Sequence, residues 1–106
     1  MTNELPSGAR RIARDYPELW EAYTRLGEAG SDAGPLDGRE ARLVKVALAA
    51  GAGLEGAVHS HVRRARDEGI EAEAIRHVAL LGVTTLGFPR AVAVMSWVDD
   101  ILDGAV

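Results

Sequence analysis

Two stretches of this sequence, residues 43–50 and 78–86, are apolar nearly all round. The first carries Lys45 as its single charge and the second carries none. A helix with one apolar stripe can lie on the surface of a domain, but one apolar on every side must be covered from more than one direction. A chain of 106 residues has few elements to do the covering, because a domain of this size buries only about two-thirds of its unfolded surface. Hydrophobic residues make up 47% of the chain and aromatics only 5%, so the apolar content is mostly Ala, Val and Leu. Each of these contributes little area at about 25 cal/mol per Å². The expectation is an all-α single-domain bundle of about five to six helices that forms an obligate homo-oligomer. The rival is a monomeric bundle with the same two segments at its centre.

Helical signals run through almost the whole chain. Ser7 is expected to cap a short basic helix that reaches Asp15, and Pro17 suits a helix start with Glu18 in its first turn. Leu19, Trp20, Tyr23 and Leu26 follow at helical spacing. Residues 27–38 (GEAGSDAGPLDG) are rich in Gly, Ser, Asp and Pro and read as a loop. Further helices are expected over 38–50, over 54–68 with Gly69 as a left-handed cap, and over 71–86. Gly87-Phe88-Pro89 interrupts the pattern. A last helix over 90–102 carries the stripe Ala91, Val94, Met95, Val98, Ile101 and Leu102.

Several classes of function are disfavoured. The net charge of −4 lacks the basic stripe of nucleic-acid-binding domains. The N-terminus has no basic and apolar leader. The longest uncharged run, 78–89, is shorter than the about 20 residues that span a bilayer. The expected location is cytoplasmic, with no membrane partner. There is no cysteine, so thiol, disulfide and zinc-thiolate chemistry are excluded. No glycine-rich stretch fits a phosphate loop or dinucleotide fingerprint, no Ser sits in a nucleophile elbow, and no cofactor is implied.

Three histidines remain. His61 shares a helix with Leu54, Ala57, Val58, Val62 and Ala65 and falls on or beside their apolar face. A partly buried imidazole there can act as general acid or base near neutral pH, or can be a core histidine satisfied by a backbone or carboxylate partner. His59 lies with Arg63 and Arg66 on a polar face, four residues after Glu55. His77 lies four residues after Glu73, where an exposed pair is the ordinary outcome. On a helix His59 and His61 point about 200° apart, so they cannot chelate one ion, and no metal site is expected. The charges of Arg63, Arg64 and Arg66 are offset by Asp67 and Glu68, and Arg10, Arg11 and Arg14 sit near Asp15 and Glu18. Both groups read as solvated faces.

The order of several pieces carries a resemblance. Leu36-Asp37-Gly38-Arg39 opens a helix, and an Ala-rich run covers 43–52. His61-Val62-Arg63-Arg64-Ala65 follows, with a Gly at 69, then an acidic helix start before Ile75-Arg76, and finally Gly87-Phe88-Pro89. From Leu36 to about Ala93, a little over half the chain, this resembles the carboxymuconolactone decarboxylase family, which includes the alkylhydroperoxidase-D-like proteins. The resemblance implies an all-helical fold, one domain over 1–106 with a family core over 36–103, N-terminal helices over 7–29 outside the strong match, and assembly as trimers or hexamers. Peroxidase members carry two cysteines where this chain has Leu54 and Ala57, and a proton-relay glutamate where it has Arg42. The family's histidine is kept as His61. Decarboxylase members also lack the cysteines, but often carry a His or Gln and a Tyr where this chain has Leu81 and Thr85.

Three readings follow. One is a lyase-like enzyme acting on a small carboxylated lactone or related acid. His61 would move a proton in a pocket at a subunit interface, and Arg42 or Arg90 would hold a carboxylate in a bidentate fork. Another is a catalytically degenerate homo-oligomer with a structural or partner-binding role. The third is a small-acid binder without turnover.

Overall fold

The computed structural model of the chain describes residues 5–104. These form six α-helices: α1 (Ser7–Asp15), α2 (Pro17–Asp32), α3 (Gly38–Ala52), α4 (Glu55–Asp67), α5 (Ala72–Leu86) and α6 (Phe88–Leu102). There is no strand among the described residues. The chain divides into two compact units, Met1–Asp37 and Gly38–Val106. The division falls between Asp37 and Gly38, at the end of the Gly34-Pro35-Leu36-Asp37 segment that separates α2 from α3.

In the first unit α1 and α2 contact each other and neither contains a buried residue. Pro17 occupies the first turn of α2 as expected. The helix then runs through Gly27 and Gly30 to Asp32, six residues into the segment read as loop. Each of these glycines costs about 1 kcal/mol relative to Ala in a helix. Sixteen residues of continuous backbone hydrogen bonding override that local preference. The connecting segment is therefore only residues 33–37.

The second unit is built from α3 to α6. Each of α3 and α6 packs against both α4 and α5. Helical spacing produces the interior: Val46, Ala49 and Ala50 of α3 meet Val58, Val62 and Ala65 of α4, Ile75 and Ala79 of α5, and Val94 and Val98 of α6. Val46, Val58, Val62, Ile75, Val94 and Val98 are completely buried, worth about 1.5–3 kcal/mol each for a fully buried aliphatic side chain. Two glycines end helices in the left-handed region. Gly53 (φ +73°) follows α3 and Gly69 (φ +86°) follows α4. In each case the next residue's N–H reaches back five residues, Leu54 to the Ala49 carbonyl at 3.0 Å and Ile70 to the Ala65 carbonyl at 2.9 Å, which is the Schellman closure.

The two all-round apolar stretches fall in α3 and α5. One side of each is in the core. On the other side Leu48 (67% exposed), Leu80 (57%) and Leu81 (61%) remain open to solvent, with Val44 and Leu86 beside them less so. Helices α3 to α6 thus supply cover from one direction only. No helix among the described residues is long and apolar enough to cross a membrane.

Candidate functional site

α4 presents its histidines in opposite directions, as a two-residue step on a helix requires. His61 turns toward α3. Its Nδ1 lies 2.8 Å from Nη1 of Arg42. The same guanidinium donates from Nε to Glu68 Oε1 at 3.1 Å and from Nη2 to Oε2 at 2.9 Å, a bidentate fork. Glu68 lies seven residues after His61, two turns along α4, so Arg42 bridges two points on the same face of that helix. The Arg42 side chain is only 14% exposed, so the network is sheltered and its geometry held.

Two consequences follow for the ring. A guanidinium only donates, so Nδ1 must be the accepting nitrogen and the proton of the neutral ring sits on Nε2. In addition, the imidazole pKa is lowered to about 4, first by burial and then by the charges of Arg42, Arg64 and Lys45, with Glu68 opposing them. Both effects keep the ring neutral near pH 7.

The other sequence candidate, Arg90, opens α6 and lies elsewhere. Its Nη1 donates to the carbonyls of Ala50 and Gly51, each at 3.2 Å. These are carbonyls of the last turn of α3, the Ala50 carbonyl also accepting the Gly53 N–H at 3.1 Å, so Arg90 caps that helix. The structure therefore brings Arg42 to His61 and does not bring Arg90 to them.

A separate cavity of about 420 Å³ opens between α3, α5 and α6. Its walls are mainly Leu43, Val44, Ala47, Val78, Leu81 and Leu86, and His77 and Arg39 are its charged or titratable members. His61 and Arg42 are not among its lining residues, although the sequence reading placed His61 in an apolar pocket. His77 had been read as part of an exposed pair with Glu73. It is exposed, but at this cavity. Arg39 is held in a fork by Glu71, at 2.6 and 3.2 Å, and the pair holds the Glu71 carboxyl below the usual carboxylate range.

Glu68 is the partner that sequence reasoning missed. It had been assigned to offset the neighbouring arginines of α4, of which Arg66 instead donates to the Ile70 carbonyl at 2.9 Å. Its seven-residue spacing from His61 was the available signal. His59, read as solvated, is half-buried, with Nε2 3.0 Å from Asp100 Oδ2 on α6. On α1, Arg11 and Arg14 both pair with Asp15 as the spacing suggested.

The profile of the carboxymuconolactone decarboxylase family matches residues 17–100. The chain belongs to this family. The match begins at Pro17, so it takes in α2, which the sequence reading had set outside the strong resemblance. No curated protein matches the chain. As a carboxymuconolactone decarboxylase family member without any cysteine, it has no thiolate with which to attack a peroxide.

Proposed function

We propose that this chain is a non-thiol, self-associating family member that binds a small carboxylated lactone or related acid at His61. The observation that carries the reading is the Arg42–His61 contact. Because Arg42 can only donate, the neutral ring offers an N–H at Nε2, and the Glu68 fork holds the guanidinium in place. A neutral imidazole in this state is a hydrogen-bond donor suited to a carboxylate or a developing enolate oxygen. Acceptance of a proton at Nε2, the role suggested by spacing and resemblance, requires the ring to change tautomer against the Arg42 donor. The donor role therefore fits the geometry better than the proton-shuttle role.

The test is calorimetric titration of the full chain with a small carboxylated γ-lactone, alongside an assay for carbon dioxide release. Binding is expected to weaken about tenfold or more in His61→Ala, the size of one lost charge-assisted hydrogen bond, and less in His61→Gln, which keeps an N–H donor. Equal affinity in wild type and His61→Ala, with circular dichroism unchanged, would sink the reading. A second reading, a structural or partner-binding oligomer without turnover, is favoured by the absence of His61 from the lining of the apolar cavity. Failure of both binding and gas release would select it, and binding without release would select a small-acid binder.

A further inference from the structure

The opposite side of α4 carries a cluster that the His61 reading does not use. Glu55 and His59 are four residues apart on α4, so their side chains lie one above the other on one face. Asp100 comes from α6, and the two helices are held together by the buried cluster that includes Val58, Val62, Val94 and Val98. His59 Nε2 is 3.0 Å from Asp100 Oδ2, with the two side chains 12% and 31% exposed. One ligand atom from each of Glu55, His59 and Asp100 lies within 4.8 Å of the other two.

We propose that Glu55, His59 and Asp100 bind one divalent transition-metal ion of the zinc class, clamping α4 to α6. Metal–ligand bonds of about 2.0–2.2 Å place neighbouring ligands of a tetrahedral centre roughly 3.3–3.5 Å apart. The His59–Asp100 pair is within a few tenths of an ångström of that separation, and Glu55, the exposed member, has the rotamer freedom to close in. The donor set selects the ion. Calcium and magnesium take shells made of oxygen, whereas an imidazole nitrogen with two carboxylates suits zinc, cobalt or nickel. Two carboxylates converging on one imidazole also carry an excess of negative charge that a dication neutralises. The proton between His59 and Asp100 has somewhere to go, because an imidazole has a second ring nitrogen, Nδ1. The ring can carry its proton there and turn the Nε2 lone pair to the ion. Three protein ligands leave the fourth position to water or a small anion. His61 takes no part, since it faces Arg42 on the other side of the helix.

The experiment is a titration of the full chain, stripped with EDTA and dialysed, with Co²⁺ followed by its visible d–d absorption, then displacement by Zn²⁺ in calorimetry. One ion per chain is expected, with d–d bands that Zn²⁺ abolishes and a higher Tm in the loaded protein. His59→Gln and Asp100→Asn are each expected to weaken Co²⁺ binding about tenfold or more, as loss of one of three ligands requires. Glu55→Gln should weaken it less, and His77→Gln on α5 should leave it unchanged. If His59→Gln fails to fold, Asp100→Asn and Glu55→Gln decide, since Asp100 is partly exposed and Glu55 is exposed. Co²⁺ that gives no d–d bands, or bands that survive in Asp100→Asn or vanish in His77→Gln, would overturn the site.

Discussion

Arg42 stands where the resemblance implies an acid in peroxidase members, and a guanidinium reverses what His61 can do. A carboxylate at that point would accept a proton from the ring, whereas the guanidinium donates to it and raises the cost of charging it. Arg42→Ala should therefore leave Nδ1 without a donor and Glu68 without its fork. The expected cost is about 1–2 kcal/mol for a half-buried group that loses its partner, read from urea melts, and ¹⁵N NMR at neutral pH should show the ring populating both tautomers. An unchanged Nε2–H tautomer would mean that Arg42 does not set the ring. The pH dependence has a definite sign. In the unfolded chain the ring titrates near 6.5, and in the folded chain near 4. Between these values the unfolded state binds the extra proton, so His61 lowers stability as pH falls through that window and has no effect above it. After solvent screening the loss is on the order of 1–2 kcal/mol. Melts of metal-free wild type and His61→Gln at pH 7 and pH 4.5 should show wild type losing more by that amount. A parallel loss in both proteins would place the folded pKa near its ordinary value.

The join between α3 and α4 depends on a contact between elements. A Cβ built on Gly53 would sit 2.9 Å from Arg90 Nη1 and 3.2 Å from its Cζ, on a residue whose φ of +73° already disfavours a side chain. Gly53→Ala should cost about 1 kcal/mol for the left-handed backbone and about 1 kcal/mol more for displacing Arg90 from the Ala50 and Gly51 carbonyls. In an Arg90→Ala background only the backbone part should remain, so the double-mutant cycle should show coupling of about 1 kcal/mol. Additive costs would mean that Arg90 moves aside freely. The helices themselves were legible because their apolar residues recur at helical spacing and Gly53, Gly69 and Gly87 punctuate them. The end of α2 was not legible, because Gly27 and Gly30 look like loop residues when only local preference is considered. Site residues divided the same way. His61 was visible on its own helix. The bridge from Arg42 to Glu68, 26 residues apart, and the pairing of His59 with Asp100, 41 apart, depend on which helices pack together, and no local pattern encodes that.

Across the whole molecule, the open face of α3 and α5 is what the four-helix unit leaves unresolved. Leu48, Leu80 and Leu81 are exposed there, and Phe88 and Val92 at the start of α6 are exposed as well. Single exposed leucines are ordinary, but this many on adjacent helices amount to an apolar patch, a feature that in other proteins commonly accompanies interaction sites. We expect a second copy of the chain to cover it, because a core made largely of valine and alanine gives a small domain little margin on its own. The expected particle in light scattering is three or six times the 11.3 kDa chain at micromolar concentration. Leu48→Glu combined with Leu81→Glu should reduce it to a single chain, since a stable interface must bury about 1,200 Å² or more and cannot take in two carboxylates unpaired. Folding linked to assembly also makes Tm depend on concentration. Wild-type Tm should rise over a hundredfold increase in protein, and the double variant should melt lower with no such dependence. A wild-type chain that scatters as 11.3 kDa with a constant Tm would instead mean that the valine and alanine core suffices by itself, and that the patch belongs to some other partner.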